Sequence, residues 1–166
     1  IVEFENPPTT IFIEMKYGAE LSRTTVGGRK QTDFPSDQLI RNIRVGLWRS
    51  GWIRERSLFS TEKRDFVVLL ISPDGGSELV RAYRDPGHVR ASLPCQKHLV
   101  GLPHTPFVGE ASYRQVVKIL QSARKWVTWQ ERILIDDLSS YLALKLRQLN
   151  DLGAKSDPKK ERISCH

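Results

Sequence analysis

The stretch that decides the fold is a strand candidate that carries two opposite charges. It reads Thr10-Ile11-Phe12-Ile13-Glu14-Met15-Lys16-Tyr17. β-Branched and aromatic residues dominate it and Gly18 follows it, which predicts a β-strand. Because side chains alternate along a strand, we expect Phe12, Glu14 and Lys16 on one face. Charges among apolar residues cost free energy unless they are paired or bind a metal, so this face should hold either a salt bridge or a metal site.

Size and composition are typical of one globular domain. The chain has 166 residues, of which 39% are hydrophobic and 27% charged. We expect a domain over residues 1–150 and a charged tail over residues 151–166. No apolar run approaches the roughly 18 residues that span a membrane. There are two cysteines, one of them in the polar tail, which favours a reducing cytoplasm over a disulfide-bonded protein.

The chain is also basic, with a formal net charge of +7 and a pI of about 9.6. This favours a polyanionic partner, most simply nucleic acid, although a basic surface without a partner is the alternative. The chain begins at Ile1, without a methionine and inside a second strand candidate. We therefore expect it to be part of a longer protein.

A hairpin is predicted at the start of the chain. Ile1–Glu5 reads as a strand, and Asn6–Thr9 contains two prolines, which cannot continue a ladder of hydrogen bonds. With a four-residue turn, Glu3 would lie opposite Phe12 and would share a sheet face with Glu14.

A loop and a helix should follow the charged strand. Residues 18–35 are rich in glycine, serine and threonine, and end at Pro35. Ser36 is expected to cap a helix from Asp37 to Ser50. The apolar residues of this helix recur at helical spacing and predict one buried face, made of Leu39, Ile40, Ile43 and Leu47.

The second half of the chain predicts further strands and a pair of helices. The apolar run Asp65–Ser72 suits a central strand, Glu78–Arg84 reads as another strand, and residues 85–109 as irregular connection. Helices are predicted over residues 113–125, capped by Ser112, and over residues 129–150, where Thr128 and Glu131 have the spacing of a capping box and Gly153 is a plausible stop. Their expected buried stripes are Tyr113, Val116, Val117 and Leu120 on the first, and Leu134, Leu138, Tyr141, Leu142 and Leu149 on the second.

This order of elements resembles the PD-(D/E)XK nuclease superfamily. Glu14-Met15-Lys16 matches the (Asp/Glu)-x-Lys part of the signature, and Asp37-Gln38-Leu39 matches the glutamine-containing helix of its RecB-like branch. Two features depart from the pattern, because Asn42 stands where that branch often has tyrosine, and no motif aspartate precedes Glu14. The resemblance implies an α/β fold with a restriction-endonuclease-like mixed β-sheet flanked by helices, here with a C-terminal helical pair.

The resemblance also implies a site that holds Mg²⁺ or Mn²⁺. Glu14 and the Met15 carbonyl would be oxygen ligands, with Glu3 as a stand-in for the missing aspartate. Lys16 would contact the attacking water or a phosphate oxygen, and Gln38 would orient one of them. Basic side chains would hold the DNA backbone; the candidates are Arg23, Arg29, Lys30, Arg41 and Arg44.

The expected function is hydrolysis of DNA phosphodiester bonds by a metal-dependent nuclease in bacterial anti-phage defence or restriction. One alternative is a catalytically inactive nuclease-fold module that binds nucleic acid. Another is an interaction domain whose two last helices dock a protein partner or a second copy, in a homodimer or a larger defence complex.

Overall fold

The computed structural model describes residues 1–16, 37–54, 63–94 and 96–155, the last four of these by their backbone alone. Its contacts divide into two compact units, the first formed by Ile1–Ala111 and the second beginning at Ser112. The first unit contains a mixed sheet with helices, so the predicted α/β class is confirmed.

Four strands form the sheet in the order β1-β2-β3-β4. They are β1 (Val2–Glu5), β2 (Pro8–Met15), β3 (Asp65–Ser72) and β4 (Val108–Ser112). β1 is antiparallel to β2, whereas β2 is parallel to β3. The predicted central strand Asp65–Ser72 is therefore confirmed, with a strand on each side of it.

The hairpin register differs from the predicted one by two residues. Glu3 lies opposite Thr10 and not opposite Phe12, because the turn has two residues instead of four. Pro8 is accommodated as the first residue of its strand, where a missing N–H is tolerated. A slip of two residues keeps Glu3 on the face of Glu14, since side chains alternate, but moves it further from that residue.

The first helix, α1 (Gln38–Arg49), begins one residue later than expected. Asp37 and not Ser36 is its N-cap, and the Asp37 carboxylate accepts the N–H of Ile40 at 3.0 Å. Ser36 lies outside the described residues. The predicted buried stripe is confirmed, since Leu39, Ile40, Ile43 and Leu47 are fully buried.

α1 runs antiparallel to β2 and β3 on one face of the sheet. Gly46, near its C-terminal end, packs against Phe66 at the start of β3; a Cβ on Gly46 would lie 2.5 Å from Cε2 of that ring. Ser50, just beyond the helix, accepts the N–H of Arg64 at 3.2 Å, immediately before β3. The N-terminus of α1 therefore lies at the carboxyl ends of β2 and β3.

Two short helices replace the predicted strand and part of the predicted irregular connection. Residues 78–84 were expected to be extended, but they form α2 (Glu78–Tyr83), whose first turn is capped by Ser77. Val80 and Tyr83 face inward at a spacing of three, which is a helical period. Asp85 then caps α3 (Pro86–Ala91) by accepting two backbone N–H groups.

The second unit is a helical pair, α4 (Tyr113–Ala123) and α5 (Trp129–Lys155), joined through a 3₁₀ turn. Both predicted caps are confirmed. The Ser112 hydroxyl and the Gln115 side chain form a reciprocal capping box, and Thr128 and Glu131 form a second one. α5 continues through Gly153, which was expected to end it.

The inward face of α5 agrees with the predicted stripe at Leu142 and differs from it at three other residues. Ile135, Ser139 and Leu142 are buried, whereas Leu134, Leu138 and Tyr141 are 67%, 39% and 51% exposed. The sequence carries two adjacent apolar stripes on this helix, and the polar Ser139 interrupts the one that is buried. Within the described ranges, no helix is both long enough and apolar enough to cross a membrane.

Candidate active site

The candidate site lies where the parallel strands β2 and β3 end together. Glu14 is opposite Leu70, and the N–H of Lys16 donates to the carbonyl of Ile71 at 2.9 Å. Pro73 follows β3 and has no N–H to donate, so the ladder cannot continue. Side chains at the carboxyl end of β2 therefore lie at the end of the sheet where the β2–β3 pairing stops.

Glu14 and Lys16 form an ion pair at this end of the sheet. Lys16 Nζ lies 3.2 Å from Glu14 Oε1, and the two side chains are 18% and 22% exposed, respectively. Glu14 shares its parity along β2 with Thr10 and Phe12, which are buried on the face that α1 covers. Glu14 and Lys16 therefore lie on the same face of the sheet, as expected from the alternation of side chains.

Gln38 is the first residue of α1 and lies at the same end of the sheet. This follows from the direction of α1, whose opposite end contacts Phe66 and Arg64. The Oε1 atom of Gln38 is buried and has no hydrogen-bond partner among the described residues. Buried amide oxygens are normally bonded, so this one is suited to accept a hydrogen bond from a bound group.

A buried hydrogen bond fixes the N-terminus of α1. The Tyr83 hydroxyl donates to Asp37 Oδ2 at 2.6 Å, while Oδ1 caps the helix. Burial, together with the hydrogen bond to Asp37, raises the pKa of Tyr83 well above its ordinary value. The pairing of Tyr83 with Asp37 is not visible in the sequence, where residues 78–84 read as a strand.

A second carboxylate fixes the turn after β3. Glu110, on β4, accepts hydrogen bonds from the Ser72 hydroxyl at 3.1 Å and from the N–H groups of Gly76 and Ser77. Gly75 and Gly76 have φ values of 78° and 82°, which other residues rarely adopt. Two adjacent glycines are typical of a turn, but nothing in the sequence connects Glu110 to it.

Glu3 is not brought to Glu14. It lies opposite Thr10, roughly 13 Å from Glu14 along the strand at about 3.3 Å per residue. Its carboxylate is bound by Arg49 Nη2 at 2.6 Å. The structure thus places Glu3 beside α1 and away from Glu14.

The predicted DNA-binding cations are only partly described. Arg41 is exposed on α1, away from the buried stripe. Arg44 is half-buried and its Nη2 donates to the carbonyl of Ser92 at 3.2 Å, so it contacts the end of α3. Arg23, Arg29 and Lys30 lie outside the described residues.

Two oxygen-bearing groups at this end of the sheet could bind a divalent cation. The described part of the chain contains no group of three or more His, Cys, Asp or Glu side chains that could hold a metal. Mg²⁺, however, keeps several waters and is often held by only one or two carboxylates. The Glu14 carboxylate is accessible, and the Met15 carbonyl points away from β3. Both are oxygen ligands of the kind that Mg²⁺ prefers.

No protein-family model, curated protein or solved structure matches this chain.

Proposed function

We propose that this protein is a metal-dependent nuclease that hydrolyses phosphodiester bonds of DNA in the cytoplasm, in bacterial anti-phage defence or restriction. The proposed fold is restriction-endonuclease-like. One observation carries the proposal: Glu14 and Lys16 lie 3.2 Å apart at the carboxyl end of β2. The N-terminus of α1, with Gln38, lies at the same end of the sheet.

Glu14 and the Met15 carbonyl would hold Mg²⁺ or Mn²⁺. When bound, such an ion lowers the pKa of a coordinated water and neutralises charge on the phosphate. Glu3 is assigned no part in this, because Arg49 binds its carboxylate.

Lys16 has a role that depends on its ion pair with Glu14. If the Glu14 carboxylate held a metal ion, Lys16 Nζ, which lies 3.2 Å from Glu14 Oε1, would give up this contact. The ammonium is then available to a phosphate oxygen or to the attacking water, as a point charge on the reacting group. Gln38 would accept a hydrogen bond from that water through its buried Oε1. Arg41, exposed on α1, would contact the DNA backbone.

The test is cleavage of plasmid and linear duplex DNA by the purified full-length protein. We expect turnover with Mg²⁺ or Mn²⁺, and a loss of at least about 100-fold in Glu14→Gln and in Lys16→Met, as for removal of groups that stabilise a transition state. Glu5→Gln is the matched control, since Glu5 is exposed on β1 and the substitution removes the same charge.

Two results would overturn the nuclease proposal. One is cleavage that persists in EDTA. The other is cleavage at an equal rate in wild type and Glu14→Gln, once circular dichroism has shown that the variant is folded.

A second candidate function is binding of nucleic acid without cleavage. It is favoured by the Arg49–Glu3 ion pair, because Glu3 is the carboxylate on β1 that was expected to be a second metal ligand. This function predicts salt-sensitive DNA binding by the full-length protein and no turnover with either metal ion.

A third candidate function is docking of a protein partner or a second copy, in a homodimer or a larger defence complex. It is favoured by the exposed apolar residues Leu134, Leu138 and Tyr141 on α5. Sedimentation of a monomer at micromolar concentration would contradict the homodimer.

A further inference from the structure

A cationic cleft lies at the tip of the helical pair, where α4 turns into α5. It has a volume of about 410 Å³ and is lined by Gln121, Arg124, Lys125 and Arg132. Three of these four side chains are cations and none is an acid. Ligand sites in proteins have volumes of roughly 300–1,000 Å³, so the cleft has the size of a small anionic group such as a nucleotide.

Two of the lining side chains are held in place by α5. Arg124 makes a bidentate ion pair with Asp136. Its Nε lies 3.0 Å from Oδ1 and its Nη2 lies 2.9 Å from Oδ2. Gln121 donates to the Ser139 hydroxyl at 3.1 Å. The Nη1 donors of Arg124 are not used by Asp136, so an oriented guanidinium group presents them to a ligand.

Two exposed tryptophans lie between Lys125 and Arg132 in the sequence. Trp126 is 81% exposed and Trp129 is 67% exposed. Lys125 Nζ lies 5.0 Å from the centroid of the Trp126 ring, so the ring face is next to a positive charge. Exposed aromatic rings beside a row of cations are the combination that stacks bases and neutralises phosphates in single-strand binding proteins.

We propose that the tip of the helical pair binds single-stranded nucleic acid. A phosphate lies in the cleft against Arg124, Lys125 and Arg132, and a base stacks on Trp126 or Trp129. Because stacking on an aromatic ring is available to every base, the site is tolerant of sequence. A site for single strands needs neither Glu14 nor a metal ion, so it stands independently of the nuclease proposal.

The experiment measures fluorescence anisotropy of a short labelled oligothymidylate titrated with the full-length protein in EDTA. Arg132→Glu is compared with Arg147→Glu, which makes the same change in net charge. Arg147 is exposed on α5, roughly 22 Å further along the helix at 1.5 Å per residue. We expect Arg132→Glu to weaken binding at least about tenfold, and Arg147→Glu by less than about threefold, because the cleft contact is lost only in the first.

The tryptophans are tested in the same assay. Trp126→Ala and Trp129→Ala are compared, and we expect at least one of them to weaken binding about fivefold or more, with intrinsic tryptophan fluorescence quenched in wild type. Both positions are exposed, so the helical content of the variants should be that of wild type.

Three results would overturn this assignment. The first is an equal loss in Arg132→Glu and Arg147→Glu, which would mean a response to net charge alone. The second is wild-type affinity in both tryptophan variants. The third is binding to anionic lipid vesicles with no affinity for the oligonucleotide, which would make the tip a membrane-surface contact. The nuclease proposal is untouched by any of these, because it is measured by metal-dependent cleavage and by Glu14→Gln.

Discussion

Lys16 Nζ lies 3.2 Å from Glu14 Oε1, and both side chains project from the sheet face that α1 covers. Each is about one-fifth exposed, so neither charge is fully solvated. An ion pair in this position is stabilising only while both partners are present, since removing one leaves the other partly buried and unpaired. This dependence can be measured without any knowledge of the function.

We predict that Lys16→Met destabilises the protein by about 1–3 kcal/mol, because the Glu14 carboxylate loses its cation while remaining half-buried. The double variant Glu14→Gln/Lys16→Met should recover most of that loss. Urea denaturation of the two single variants and the double variant measures the coupling. Additive effects in this cycle would mean that the two side chains do not interact in the folded protein.

A buried hydrogen bond should make Tyr83 a source of pH dependence. Its pKa is raised above the ordinary value of about 10, first by burial and second by the hydrogen bond to Asp37. The folded state therefore keeps the proton at a pH where the unfolded state has lost it. The stabilisation is complete below pH 10 and declines above it, by up to about 1.4 kcal/mol per pH unit.

Tyr83→Phe should remove this decline and should cost about 1–3 kcal/mol at neutral pH, because Asp37 loses a buried donor. Tyr141→Phe is the control, since Tyr141 is half exposed. Denaturation midpoints between pH 7 and 11 give the measurement. An identical decline above pH 10 in wild type and Tyr83→Phe would contradict the prediction.

Gly46 is predicted to tolerate no side chain. A Cβ there would lie 2.5 Å from the buried Phe66 ring, so Gly46→Ala should destabilise by about 1–3 kcal/mol through overpacking. This runs against helix propensity, which alone would favour alanine by about 1 kcal/mol. Phe66→Leu in the same chain should relieve part of the clash. A thermal midpoint raised by Gly46→Ala would show that α1 lies further from β3.

The orientation of α5 can be checked with two leucines that lie eight residues, about two helical turns, apart. Leu142→Ala should cost about 2–5 kcal/mol, because Leu142 is fully buried. Leu134→Ala should change stability by less than about 0.5 kcal/mol, because Leu134 is exposed. Equal costs, measured by chemical denaturation, would mean that a further surface covers Leu134.

Local chemistry determined much of this structure, and it could be read from the sequence. The strand faces of β2, the length of β3 and the two capping boxes depend on alternation, apolar runs and side-chain reach over three residues. The pairing of Glu14 with Lys16 belongs to this class, because two residues on one strand face are neighbours whatever surrounds them.

Other features were decided by contacts between residues far apart in the chain. Residues 78–83 became a helix because Val80 and Tyr83 pack inward together. α5 buries Ile135 and Leu142 in preference to Leu134 and Leu138, a choice between two adjacent stripes that its own periodicity leaves open. The hydrogen bonds of Glu110 to the turn after β3 likewise needed the strands to be assembled.

The sequence by itself therefore determined the elements whose hydrogen bonds and side-chain alternation are satisfied within a few residues. The tertiary structure alone decided which face of α5 is buried, which carboxylate Arg49 binds and where the N-terminus of α1 lies. The physical reason is that burial and long-range pairing are properties of two surfaces in contact, and one stretch of sequence specifies only one of the two.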